Sequence, residues 1–436
     1  MITDLAPEIQ KRISGFTNFL KKERFSVPEV KNIGMLLHAM LKRPGVHVSE
    51  LARSLREKIT PKKTEERLHR NLRRKGLGRR LLEANALKNR AAIRSKRYCI
   101  IDLSDIQKPH ATKMEGLSLV RDGDKSKRGA AKVGNGLYWI NGVMADRTEI
   151  LPVYSEIYGL DYEGRDHTSE NTKILGITDM VHTLHPEAIN VLDRGGDRHI
   201  IIDCFIADGK QFVIRGQDQR SLRLHKDSMK LTNIKDIAKK TKASYAYKSL
   251  KNGEWFDVGI RRVYYGETPL WLVVTRRRRG GLSWFLTNME GSRRTVMNTV
   301  MEAYGLRWRV EEYHRQIKQD YALEKICLRN YNAIKNMGAL IALASAFCAR
   351  LPEYLVIQMI AAAGLLPRKR LSDIPSYPYY MLTAAIAWIL GQSHKQQPKP
   401  LRVRKRDYFQ LSLAFQGYSK NGGSPENLLV LTFEPI

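Results

Sequence analysis

The sequence predicts an α/β fold: a mixed sheet with interleaved helices, interrupted by a block of strands and flanked by helical regions at both ends. Three observations predict it. From Tyr98 to Arg215, short apolar runs and helical stretches follow one another in the order β-β-β-α-β-α-β. From Ser244 to Asn288 the pattern is of strands alone. Residues before about 95, and those from Lys318 to about Gly391, read as helices.

Val48 to Leu55 has helical apolar spacing, with a serine at its start as N-cap. Thr60-Pro61 opens a second helix, with proline in the first turn. The pair resembles a helix-turn-helix. Its second helix is expected to run on through His69, Arg70, Arg73, Arg74 and Lys75, so Lys62, Lys63, Arg67, Arg70, Arg73 and Arg74 are its candidates for contacting DNA. Pro61 to Arg97 holds fourteen basic residues and three acidic ones, more than a neutral packing helix needs. A solvated basic bundle has the same composition.

Tyr98 to Leu103 is a short apolar run with Asp102 inside it, and Gly136 to Ala145 and Ile150 to Gly159 continue as a meander. Arg121 to Gly136, polar and basic, is expected as a loop. Thr168 to Leu184 reads as a helix, Ala188 to Asp193 as a strand ending on an aspartate, Arg198 to Ala207 as a helix and Gln211 to Arg215 as the next strand. That order is the one of a ribonuclease-H-like sheet. In the all-β block, the run Arg276 to Arg279 before Gly280-Gly281 joins two strands. Its like charges call for a counter-anion, Arg276 and Arg277 included, unless they form a solvated turn. A basic linker (Lys395 to Arg406) and a short tail close the chain.

The 436 residues carry 75 Lys and Arg against 44 acidic residues, a formal charge of +31. So large an excess repels itself unless a polyanion is near, which makes nucleic acid the first partner expected and an anionic membrane the rival. Met337 to Ala349 and Tyr354 to Pro367 fall short of the ~20 apolar residues a bilayer span needs. They are expected as core helices, with no membrane partner. Asp4, Glu8 and Gln10 interrupt the start, so no signal peptide is expected. Cys99, Cys204, Cys327 and Cys348 lack CxxC spacing, which argues against zinc and for reduced thiols in a cytoplasmic setting.

The most informative stretch is Tyr304 to Lys318, expected as one helix. At roughly 100° per residue, Tyr304, Arg307, Glu311 and Lys318 share an arc of about 60°. Leu306, Val310, Tyr313 and Ile317 gather on the opposite side as a stripe to bury, and Glu312 points away from the set. The bland alternative is an ordinary solvated face. The sharper reading is a carboxylate for a metal, flanked by cations for a phosphate. Its partners would be Asp102 and Asp193, because charges in or at the end of apolar strands are costly unless paired or coordinated. Hard oxygen donors favour two magnesium ions, with manganese as substitute, over zinc. Asp105, of opposite strand parity, and Asp197, past the strand end, stay open as alternatives.

Tyr304, Arg307, Glu311 and Lys318 meet all four positions of the Tyr-Arg-Glu-Lys signature, and the chain resembles bacterial insertion-sequence transposases of the DDE class that carry it. Ile101 to Ile106 is similar to their first-aspartate strand, with the ligand at Asp102, and Val191 to Arg194 to the second, with Asp193. Ser283 to Thr287 is similar to the last strand before the signature helix. The resemblance spans about residues 45 to 350. It implies cut-and-paste movement of a DNA element: metal-dependent nicking, a hairpin made by the freed 3′-hydroxyl, then joining to target DNA. It further implies that Arg307, Lys318 and Tyr304 hold phosphate, that Arg215 faces DNA, and that Trp284 replaces a flipped-out base. A buried core tryptophan is the competing reading of Trp284. Double-stranded DNA (element ends and target), a homodimer bridging two ends and a nucleoid-associated bacterial protein are also implied. The organisation expected is a helical DNA-binding region (1–95), a ribonuclease-H-like catalytic core (96–228 and 291–330), a β-strand insertion (229–290) and a helical C-terminal region (331–436) that includes a dimerisation candidate at Tyr379 to Gly391. Another ribonuclease-H-like nuclease, or a non-catalytic DNA-binding remnant, are the rivals.

Overall fold

The computed structural model describes residues 2–121, 132–147, 149–160, 168–249, 253–277, 280–365 and 379–392. Most of the Arg121–Gly136 loop, Arg278 and Arg279, and the Lys395–Arg406 linker with its tail lie outside the described residues.

Six helices open the chain: α1 (Ile2–Lys22), α2 (Val27–Lys42), α3 (Val48–Leu55), α4 (Pro61–Leu72), α5 (Leu77–Lys88) and α6 (Arg90–Arg94). Thr60 caps α4, its hydroxyl accepting from Lys63 N at 3.4 Å. In α3 the capping residue is His47 rather than a serine, and its side chain makes no capping bond. α4 stops at Leu72 instead of running on, and Gly76, at a φ of 72° that favours glycine, leads the chain into α5. Arg73, Arg74 and Lys75 therefore sit in a turn.

The sheet begins with β1 (Tyr98–Gln107), β2 (Ser118–Arg121), β3 (Val133–Ala145) and β4 (Ile150–Tyr158), with β1, β2 and β4 each pairing antiparallel with β3. Helix α7 (Glu170–Leu184) crosses to β5 (Ile189–Leu192), parallel to β1, and α8 (His199–Ala207) crosses to β6 (Phe212–Arg215), parallel to β5. A small ribbon of β7 (Ser221–Leu222) and β8 (Thr232–Asn233) and a helix α9 (Ile234–Lys240) follow. Then come β9 (Tyr245–Lys248), β10 (Trp255–Tyr265), β11 (Thr268–Arg277) and β12 (Leu282–Thr287). Because β12 pairs with β6, the late strands extend the same ten-stranded sheet, in the order β2-β3-β1-β5-β6-β12-β11-β10-β9, with β4 on β3.

Both faces of this sheet are buried, and side-chain alternation sorts them. Ile100, Val191, Val213 and Phe285 point into one apolar cluster; Ile101, Leu192, Ile214 and Trp284 point into the other. The first cluster also takes in α1 to α5 and the closing helices: α10 (Arg293–Leu306), α11 (Trp308–Asp320), α12 (Tyr331–Ala349), α13 (Glu353–Ala362) and α14 (Tyr379–Gln392).

The Tyr304–Lys318 stretch is thus two helices, not one. Arg307 N bonds Tyr304 O at 3.2 Å and Val310 N bonds Arg307 O at 3.0 Å, i to i−3 bonds that tighten the turn at the break. The apolar stripe is buried as expected: Leu306, Val310, Tyr313 and Ile317 are at most 2% exposed. The 19-residue α12 is longer than the apolar segment read from the sequence, and by length and composition alone it could cross a membrane. Here it is a mostly buried core helix. Its Asn336 donates to the carbonyls of Leu72 (2.7 Å) and Arg74 (2.8 Å) and accepts from Gly78 N (2.6 Å), clamping the α4–α5 turn.

Candidate active site

The geometry starts from strand register. Ile101 pairs with Leu192 across parallel β1 and β5, and Leu192 with Ile214 across β5 and β6. Asp102, Asp193 and Arg215 are the next residues on three adjacent strands, and by parity all face the same side. Adjacent strands are spaced ~4.8 Å apart, so these side chains are neighbours. Ligands of open α/β sheets gather at such carboxyl ends of parallel strands.

Helices α10 and α11 cover that face. Tyr304, in the last turn of α10, accepts from Arg215 Nη1 at 3.0 Å and packs its ring 4.5 Å from that of Phe285. Arg307, at the break, reaches Glu311 Oε1 at 2.5 Å and Asp102 Oδ2 at 3.6 Å. Arg215 stands 3.8 Å from Asp193 Oδ1, which also accepts from Arg194 N at 2.7 Å. Tyr304 lies between the two guanidiniums, 5.6 Å from Arg307 and 5.8 Å from Arg215.

Charge and burial compete here. Burial is the largest of the effects that leave the Asp102 carboxyl raised to about 6; Arg307 pulls against it, and Asp193 and Glu311 act with it. The Arg307 guanidinium is held above its ordinary value: burial is the largest single effect and works against it, but Asp102, Tyr304, Asp193 and Glu311 together outweigh that. Burial pushes His314 down to about 3, helped by the Lys318 and Arg307 charges, so its imidazole is neutral.

The sequence candidates divide. Asp102, Asp193, Glu311, Tyr304, Arg307 and Arg215 come together. Lys318 is one step away, bonded to Glu324 at 3.1 Å. Asp105 faces the other way and accepts from Gln107 at 2.5 Å. Asp197 is buried against Arg220 at 2.5 Å and accepts from Gln217 N at 2.6 Å, a structural pair. Trp284 does not join the site. Its parity puts it on the opposite face, 4% exposed, with Gly216 lying against the indole edge. A stacking face for a displaced base is not offered by this arrangement. Arg276 is also committed, donating to the carbonyls of Ala238, Lys239 and Thr241 at the end of α9, whereas Arg277 is exposed over Phe256. Along α4, Lys62, Lys63, Arg70 and, in the turn, Arg73 are exposed; Arg67 pairs with Glu57, and Arg74 with Glu29 at 3.5 Å. His314 and Asn141, beside Asp102, were not singled out by sequence. A histidine three residues past Glu311 was the only signal.

The carboxylates expected to share metal ions are neighbours but not a closed ligand set. Among the described residues no group of three or more His, Cys, Asp and Glu side chains stands ready to hold a metal ion. The physical reason is Arg307, onto which Glu311 turns its carboxylate. The residues still suit a divalent cation: the donors are hard oxygens, and Asp102 remains under-compensated even with the guanidinium beside it.

The transposase DDE domain family matches residues 94–347, more than half of the chain, and the protein belongs to that family. It is therefore a transposase of the DDE kind. Among solved structures it is similar to a piggyBac transposase synaptic complex with hairpin DNA, at 11% identity and a TM-score of 0.39, covering 93% of this chain and 82% of that one. No curated protein matches the chain.

Proposed function

We propose that this protein is the transposase of a bacterial insertion sequence, in the branch marked by Tyr304, Arg307, Glu311 and Lys318, acting at its element's ends by a cut-and-paste route. The observation that carries the reading is the meeting of Asp102, Asp193 and Glu311 around Arg307 at the strand ends. The strand order β3-β1-β5-β6, antiparallel then parallel with α7 and α8 as crossovers, supports a ribonuclease-H-like core over 96–228 and 291–330. On this reading 229–290 is the β-strand insertion, 1–95 the DNA-binding region and 331–436 the C-terminal region that serves dimerisation.

Asp102, Asp193 and Glu311 would hold two Mg²⁺ or Mn²⁺ ions, which when bound supply charge neutralisation at the attacking and leaving oxygens. The chain's own groups do the rest. Arg307 releases Glu311 and turns to a phosphate, Tyr304 and Arg215 fix that phosphate from the β6 side, and Lys318 extends the cationic track along α11. Each step is an in-line displacement at phosphorus: water first takes the place of a 3′-oxygen, leaving a 3′-hydroxyl and a 5′-phosphate. The 3′-hydroxyl then attacks a phosphate of the opposite strand, forming a new P–O bond and displacing that strand's flanking 3′-oxygen as a hydroxyl, which closes a hairpin. Exposed Lys62, Lys63, Arg70 and Arg73 contact the element end.

The test is a duplex carrying the inverted repeat that flanks the gene, incubated with the protein in Mg²⁺ and run on a denaturing gel. A nicked strand followed by a double-length hairpin strand is expected, with both abolished by EDTA. Cleavage that persists in EDTA would rule the mechanism out.

A further inference from the structure

His314 lies on α11 one turn past Glu311. Its ring is buried and tilted against Trp139, with centroids 4.7 Å apart. Asn141, directly opposite Asp102 across β1 and β3 and wholly buried, approaches His314 Nε2 with its Nδ2 at 3.0 Å. An amide nitrogen only donates, so Nε2 must accept, and the ring can carry only one proton, on Nδ1. Nδ1 is the atom that faces Asp102, 3.8 Å from Oδ2. With the amide reversed, Nε2 would donate to Asn141 Oδ1; a singly protonated ring would then turn a bare Nδ1 lone pair toward the carboxylate, which repels it, and only a cationic ring, costly to bury here, would suit both partners.

We propose that His314 is a positioning residue for Asp102: a neutral imidazole, locked by Asn141 in the tautomer with Nδ1 protonated, that orients the carboxylate toward a divalent cation. The proposal rests on the metal role given to Asp102 above. A neutral N–H suits the place because it orients a carboxylate without neutralising it. A lysine or arginine there would compete with a cation, as Arg307 does. Asn141 and Trp139 both stand on β3, which pairs along the whole of β1, so ring and carboxylate share one rigid frame. The sequence separation of 173 residues between Asn141 and His314 hides this arrangement from any local pattern.

The test compares His314→Asn, His314→Gln and His314→Phe by Mn²⁺ titration of the full-length protein without DNA, each first checked for wild-type circular dichroism. Ring ¹⁵N shifts of histidine-labelled wild-type protein report the tautomer. The asparagine nitrogen falls near the imidazole Nδ1 and still donates toward Asp102; the glutamine nitrogen falls near Nε2 and does not. The expected result is a protonated Nδ1, Mn²⁺ affinity weakened about tenfold or more in the Gln and Phe variants, and affinity within about threefold of wild type in the Asn variant. A ring that only fills space would make Phe the mildest change and Asn and Gln alike. That order, or a proton on Nε2, overturns the proposal, and the Asn–Gln pair decides the matter if the Phe variant does not fold. Unaltered Mn²⁺ binding in every variant overturns this role alone. A wild-type protein that binds no Mn²⁺ overturns the metal reading of Asp102 and this role with it.

Discussion

At Asp102 two effects oppose each other: burial favours the protonated carboxyl, and the Arg307 guanidinium favours the charged one, with burial the larger. A carboxyl raised from 3.8 to about 6 binds its proton more tightly in the folded state, so Asp102's own contribution to stability is greatest at low pH and falls as pH rises through that window. Asp102→Asn removes the cost and leaves Arg307 its bond to Glu311. In EDTA at pH 8 this variant is expected to unfold with a free energy higher by up to about 2 kcal/mol, the gain shrinking toward pH 4, as chemical denaturation at the two pH values will show. Such a gain in stability from removing a reactive group is common at functional sites. Asp102 and Asp193 were legible in the sequence because a charge in or at the end of an apolar strand needs a reason. The separation of Asp193 from Asp197 was not, since it depends on Arg220, which reaches Asp197 from a loop. Trp284 was placed by resemblance, and strand parity overturned the expectation.

Among the elements, the main run of helices and strands was readable from periodicity, as was the buried stripe of α11, but the short β2, which makes four strands before α7 instead of three, was not. The break at Arg307 was not, because Arg307 keeps right-handed helical dihedrals (φ −58°, ψ −32°) and the periodicity runs through it undisturbed. Helix α9 lies inside the 229–290 block that was expected to be strands. It buries Ile234, Ile237 and Ala238, too short a pattern to stand out. The N-terminal helices share an apolar cluster with α12 and α14, so deleting residues 1–95 would strip cover from the core. Point changes are the cleaner test of end recognition. Lys62→Ala, Lys63→Ala and Arg70→Ala together are expected to weaken binding to the terminal repeat in a mobility-shift assay while leaving the thermal melt within about 0.5 kcal/mol of wild type. Unchanged binding would move recognition elsewhere.

Over the whole molecule, a charge of +31 sets the partner before any motif does. Contacts to phosphates release counterions, so affinity for mixed-sequence duplex is expected to fall by about 10³-fold or more between roughly 50 and 200 mM salt. A flat salt dependence in fluorescence titrations would leave the charge without its partner. The pairing of β12 with β6, which joins the late strands to the early sheet, was hidden from the sequence because long-range pairing leaves no local period. Yet that pairing brings Phe285 beside Arg215 and so sets the wall against which Tyr304 packs.

The account stands on Asp102, Asp193 and Glu311 acting as one set. The most direct measurement is the Mg²⁺-dependent rate of end cleavage by wild type, Asp102→Ala, Asp193→Ala, Glu311→Ala and, as control, Asp105→Ala. Loss of several kcal/mol of transition-state stabilisation predicts rates lower by about 10³-fold in each of the first three variants, and a rate near wild type for Asp105→Ala. Wild-type cleavage by any one of those three would contradict it.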